Sequence, residues 1–193
     1  MRRYVVLKIA GTTAFTALFF VGYFHLLRFP AYTVTVMPLT ALDHLIPFQP
    51  NALFVYLTLW LYIGVGPGLL LGFVELLAYT LWISAMCLVG LGVFYVWPTA
   101  VPAANLDVAG LAGFAMLKGV DAAGNACPSM HVAAAMFTAI RVDRTLREAR
   151  VPAALRLMNA LWMLAIAHST LAIKQHVLLD VVDASGRVLR HLV

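Results

Sequence analysis

The chain has 193 residues, 63% of them hydrophobic and only 11% charged, whereas soluble domains run at about half and about a quarter. This excludes an ordinary soluble domain and points to one integral membrane domain over residues 1–193. The net charge of +5 comes mostly from arginines at the ends of apolar stretches, and no basic run is interleaved with aromatics, so nucleic acid is not an expected partner.

The expected fold is an all-α bundle of six transmembrane helices, with an interfacial helix or loop after the first span. A span needs about 20 residues. The first runs from about Tyr4 to Leu27, follows Arg2 and Arg3, and is read as retained because no small-residue cleavage site closes it. Lys8 near its start is expected to snorkel to the interface. Residues 28–51 carry four prolines and read as an interfacial loop, with a short helix around Leu39–Leu45. The second span is about Ala52–Val65, and Gly64, Gly66, Pro67 and Gly68 predict a tight reversal. The third is about Leu70–Tyr95. Residues 96–127 form the longest polar connection, a length more often functional than idle. The fourth span is predicted from Pro128, a residue suited to the first helical position, to about Ile140, with its last turn continuing through Arg141. Arg141, Arg144, Arg147 and Arg150 then form a basic connector. The fifth span is about Pro152–Ala172, and the sixth begins near Lys174.

Charge sets the orientation. With the N-terminus inside, eight arginines lie inside, against Arg28, Lys118 and Lys174 outside, a positive-inside bias. The same assignment puts the 96–127 loop, His131, His168 and His176 together on the outer face. The two cysteines, Cys87 and Cys127, make neither a disulfide framework nor a CxxC metal site.

Two stretches carry chemistry, 121–131 and 168–180. In the first, Cys127-Pro128-Ser129-Met130-His131 opens into an apolar run. A helix start there offers free amides to an anion, Ser129 adds a hydroxyl, and His131 can hold or release a proton near neutral pH. In the second, His176 and Asp180 are four apart. On a helix they share a face, so the carboxylate can fix the imidazole tautomer and leave the other nitrogen as a nucleophile. Lys174 and Ser169 can hold an anion nearby. Two histidines suit phosphoryl transfer: one attacks phosphorus and the other protonates the leaving oxygen.

These motifs resemble the type-2 phosphatidic acid phosphatase superfamily, whose patterns read P-S-x-H and S-R-x5-H-x3-D. The flanks Asp121…Asn125 and Thr170-Leu171…Lys174-Gln175-His176 are most similar to its branch with inositol phosphorylceramide and sphingomyelin synthases. The likeness covers roughly residues 40–185, since Leu42-Asp43…Ile46-Pro47-Phe48 is also similar. It implies His176 as the nucleophile that becomes phosphohistidine, Asp180 as its orienting carboxylate, His131 as the general acid and Ser129 as a phosphate ligand. The chain departs from the pattern twice. The K-x6-R-P motif is absent, and Thr170 stands where the S-R pair has arginine. Lys174 and Lys118 are the expected substitute cations, with His168 and Ser169 as further phosphate-site candidates.

Each candidate has a plainer reading beside it. His176 with Asp180 can be a structural pair, His168 an interfacial packing residue, Lys174 a snorkelling cation and Lys118 a solvated one. Tyr and Trp of the second span read as interface anchors. No H-x-x-E-H or H-E-x-x-H spacing occurs, so no metal and no cofactor are expected. The leading expectation is a lipid phosphatase acting on a phosphorylated lipid from the periplasmic face of a bacterial inner membrane. The alternatives are a phosphotransferase of the same architecture, with a hydroxyl acceptor replacing water, and a catalytically silent binding protein. The oligomeric state is not legible in the sequence.

Overall fold

The computed structural model describes residues 4–103, 113–114 and 124–192. Its helices are α1 (Val5–Arg28), α2 (Ala41–Leu45), α3 (Ala52–Leu57), α4 (Leu59–Leu69), α5 (Phe73–Val96), α6 (Met130–Glu148), α7 (Ala153–Ala172) and α8 (Leu178–Leu192). Two short parallel strands, β1 (Thr35–Val36) and β2 (Thr99–Ala100), pair Thr35 with Thr99 and Val36 with Ala100.

Three helical segments are long and apolar enough to cross a bilayer: Val5–Arg28, Ala52–Leu69 and Phe73–Val96. This is the property an integral membrane protein requires. Their outer faces are apolar and uncovered, with Val6 81%, Leu18 73%, Val74 77% and Leu88 67% exposed. In water such a belt would drive association; against lipid tails it has no cost. α6 lies among α4, α5, α7 and α8.

α6 is the axis of the packing. One of its sides joins Val132, Ala133 and Phe137 to Leu76 and Tyr79 of α5 and Ala184 and Val188 of α8. Another joins Ala135 and Ala139 to Leu59 and Tyr62 of α4 and Ile166 of α7. The alanines let neighbouring backbones approach closely, as small residues do between helices in membranes. Two buried polar side chains beside this axis pair with each other and with it: the Tyr62 hydroxyl donates to Asn159 Oδ1 (2.7 Å), and Asn159 Nδ2 donates to the Ala139 carbonyl (3.0 Å).

Several predicted boundaries move. The Gly64–Gly68 tract is not a reversal; α4 continues through Pro67 to Leu69, and the chain turns at Leu70–Gly72. Proline and glycine are tolerated in such a helix where neighbours satisfy the freed groups. Lys8 is buried rather than snorkelling outward, and its Nζ donates to the carbonyls of Leu70 (2.5 Å) and Gly68 (3.3 Å) at the C-terminal end of α4. Gly66 leaves room for Tyr79, whose hydroxyl lies 2.5 Å from where a Cβ would stand. Pro128 is not the first helical residue. α6 starts at Met130 with Ser129 as its N-cap, and Ser129 Oγ accepts from Val132 N at 3.3 Å. α6 also runs past Ile140 to Glu148, so most of the arginine connector is helical. Arg147 and Arg156 both bind Asp143, which favours that extension. α8 begins at Leu178, not near Lys174.

Above the helix ends lies a small polar layer. Thr99 N donates to the Gly124 carbonyl, Ala126 N to the Thr99 carbonyl, and Cys127 N to Thr99 Oγ1 (2.7 Å). Asn125 Nδ2 donates to the Tyr23 carbonyl at 2.8 Å. These bonds tie the 124–127 stretch to β2 and α1, and so set where the N-terminus of α6 begins.

Candidate functional site

The α7–α8 turn presents His176. Its Nδ1 lies 3.3 Å from Asp180 Oδ2, and the same oxygen accepts from Val177 N at 3.0 Å. The pairing does not arise as the four-residue spacing suggests, because His176 precedes the helix. Asp180 instead reaches back to the start of α8, as the acidic member of a capping box does, and the imidazole shares the carboxylate. Asp180 is fully buried and its Oδ1 has no partner among the described residues. Its backbone carbonyl accepts from Ser129 N at 3.2 Å, which joins the start of α6 to the start of α8.

A second carboxylate braces the same turn. Asp43 Oδ1 accepts from Leu178 N (2.8 Å), while its Oδ2 accepts from Thr40 N (2.8 Å) and Thr40 Oγ1 (2.7 Å). Burial pushes the Asp43 carboxyl up, but the bonds from Thr40 and Leu178, with the Lys174 ammonium, outweigh it and hold the acid below its ordinary value. The similarity of the Leu42–Phe48 stretch to the family was visible in the sequence, but this bracing contact was not.

His131, in the first turn of α6, faces the second predicted span. The Tyr56 hydroxyl and His131 Nε2 share a 2.5 Å hydrogen bond, with ring centroids 4.7 Å apart. Trp60, one turn on, meets the imidazole edge at 6.4 Å. Phe114 packs on Tyr56, Leu53 and Ile173 above. Reading the aromatic residues of this span as interface anchors therefore fails for Tyr56, which is 5% exposed. Helical spacing placed Tyr56 and Trp60 on one face, but nothing local pointed that face at His131.

The two imidazoles meet. Their centroids are 5.8 Å apart and their planes are inclined by 57°. Two ring nitrogens have no hydrogen-bond partner among the described residues, His176 Nε2 and His131 Nδ1. Among the described residues, the fully buried polar side-chain atoms without partners are Tyr79 Oη, Asn125 Oδ1, Thr138 Oγ1 and Asp180 Oδ1. The amides of Met130 and His131, at the free end of α6, likewise have no partner among the described residues.

The other candidates fall elsewhere. Ser129 is fully buried at the start of α6, next to His131, with its oxygen engaged as the cap. Lys174, at φ 59°, directs its ammonium to the carbonyls of Asp43 (2.9 Å) and Ile46 (2.5 Å); two of its three donors hold α2 rather than an anion. Ser169 is 1% exposed and donates to the Ile166 carbonyl at 2.6 Å. Thr170, in place of the family arginine, donates to the Ala167 carbonyl. His168 is exposed on α7 and is not brought to the histidine pair. Lys118 lies outside the described residues. Burial, then the carboxylates of Asp180 and Asp183, push the Cys127 thiol up to about 12, so it adjoins the site as a protonated, inert group.

No family model, curated protein or solved structure matches the chain.

Proposed function

We propose that this protein is a membrane-embedded phosphatase that hydrolyses a phosphomonoester or diphosphate headgroup of a lipid through a phosphohistidine. The observation that carries the reading is the 5.8 Å separation of the His131 and His176 rings, with Asp180 behind His176. A nucleophile in near attack stands about 3–3.5 Å from its target, and a proton donor about 2.6–3.2 Å from the oxygen it serves. Joined through the P–O bond and bent at the leaving oxygen, these legs let two rings with this centroid separation both reach one phosphoryl group.

In this mechanism Asp180 holds the hydrogen on His176 Nδ1, and the Nε2 lone pair attacks phosphorus. The N–P bond forms as the P–O bond to the lipid breaks, and the bonding pair leaves with that oxygen, which takes a proton from the His131 imidazolium. Water, deprotonated by the now neutral His131, then displaces His176 and releases phosphate. The free amides at the start of α6 face an anion with the positive end of the helix dipole and stabilise charge on the phosphoryl oxygens.

The reading includes a six-span topology with the site on the outer, periplasmic side of a bacterial inner membrane. α6 and α7, with 19 and 20 residues, reach about 29–30 Å at 1.5 Å per residue, the thickness of a hydrocarbon core. The arginine excess on the opposite side supports that orientation. The resemblance of Pro128-Ser129-Met130-His131 and His176-x-x-x-Asp180 to the type-2 phosphatidic acid phosphatase superfamily supports the reaction class.

The test is phosphate release from a panel of phospholipid monoesters and polyprenyl diphosphates by purified protein in detergent. Turnover that disappears in His176→Ala supports the proposal, and turnover unchanged in that variant refutes it. Running the panel with and without hydroxyl acceptors separates hydrolysis from phosphotransfer, since a transferase consumes little substrate without an acceptor.

A further inference from the structure

We propose that Tyr56 is the positioning residue of the general acid: its hydroxyl occupies His131 Nε2 and leaves Nδ1 as the nitrogen that delivers the proton to the leaving oxygen. The inference rests on the phosphatase reading and adds to it a residue that no motif contains and an atom assignment that no motif makes.

Three observations converge. The Tyr56–His131 contact is short, 2.5 Å, and it joins residues 75 apart in sequence. Tyr56 is buried and held on its other sides by Leu53, Phe114 and Ile173, so the ring has little freedom to swing away. His131 Nδ1 has no hydrogen-bond partner among the described residues, and neither has Nε2 of His176.

A neutral imidazole has one donor and one acceptor nitrogen, and the partner at one nitrogen decides what the other can do. Whichever group holds the shared hydrogen, proton exchange with a substrate falls to Nδ1. In the imidazolium both nitrogens carry hydrogen. Nε2–H donates to the Tyr56 oxygen, Nδ1–H passes to the departing oxygen, and the ring is left neutral with Nε2–H still on Tyr56. The relation mirrors Asp180 on His176, with a neutral oxygen in place of an anionic one. That difference suits the roles. A carboxylate would hold the proton on an acid that has to give it up, whereas a phenol orients the ring with a weaker hold.

The discriminating experiment uses leaving groups. Wild-type, Tyr56→Phe and Tyr56→Met proteins in detergent are assayed for single-turnover release of the leaving group, the step before phosphohistidine hydrolysis, on a short-chain phosphatidic acid, whose alkoxide must be protonated, and on p-nitrophenyl phosphate, whose phenolate departs without help. General acid assistance is worth about 10²–10⁴-fold, and misorienting the acid forfeits part of it. Tyr56→Phe is expected to lower turnover of the alkyl ester about tenfold and of the aryl ester less than about twofold. Tyr56→Met, which also empties the ring's place, is expected to lower both. An equal loss on both esters in Tyr56→Phe, or no loss on the alkyl ester, overturns the assignment while leaving the phosphatase reading intact. A wild-type protein that releases phosphate from neither ester and from no polyprenyl diphosphate overturns that reading and this inference with it.

Discussion

The two histidines are supported in opposite ways. His176 lies in a turn between two helices, a place where backbone is ordinarily loose, and carboxylates brace it there. Asp180 takes Val177 N and the imidazole, and Asp43 takes Leu178 N. His131 lies in the first turn of the central helix, where the backbone is already fixed, and neutral aromatic groups from α3 and α4 orient its ring. The contrast shows how position dictates support. A group in a turn needs charged, multidentate contacts to hold backbone and side chain together. A group on a helix needs only a partner for its ring.

The largest effect that sharpens this contrast is expected from the proposed nucleophile. His176→Ala should lower phosphate release by at least ~10³-fold and abolish labelling of the protein by a radioactive substrate. His131→Ala should still label, more slowly, with an aryl ester. Equal loss of label in both variants would erase the division of labour.

Asp180→Asn comes next. It places a donor where Nδ1–H needs an acceptor, and wrong-tautomer effects of this kind reach roughly 10²–10⁴-fold. It also weakens the cap of α8, a loss of about 1 kcal/mol. A kcat within a few fold of wild-type would show that Asp180 only caps the helix.

Asp43→Ala should act through the turn rather than through the phosphate. The expected loss is about 0.5–2 kcal/mol of stability, the worth of a cap, together with a fall in kcat at little-changed KM. Because the folded acid is held below its ordinary value of 3.8, its contribution is present above that pH and is lost as pH falls through the folded value. The wild-type melting temperature should therefore drop more steeply than the variant's on acidification below about pH 4; parallel curves would contradict the brace.

Lys174→Met should have the smallest effect on activity. Its ammonium binds carbonyls of the 43–46 stretch, and charged hydrogen bonds are worth about 1.5–3 kcal/mol. The variant should melt lower and keep its KM for phosphorylated lipids. A several-fold rise in KM with unchanged stability would restore Lys174 as a phosphate ligand.

Much of the site was legible because its signals are local. The Ser129 cap, the histidine that follows it, and the His176–Asp180 interval are set by neighbours within a few residues. Even here the reason shifted: Asp180 meets His176 through helix capping, not through a shared helical face. Lys174, Lys8 and Ser169 were harder to read. Each is a side chain with hydrogen-bonding capacity and several possible acceptors, and composition cannot say which carbonyl lies within reach.

By itself the sequence determined that the chain has the apolar composition of a membrane protein, where its apolar stretches lie, and which residues are candidates for phosphoryl-transfer chemistry. These follow from composition and short-range spacing, which survive in any fold. Only the tertiary structure decided that Tyr56 meets His131 across 75 positions and that Asp43 meets Leu178 across 135. The physical reason is that such contacts depend on how α3 packs on α7 and where α2 docks, and helix packing angles are properties of several surfaces at once.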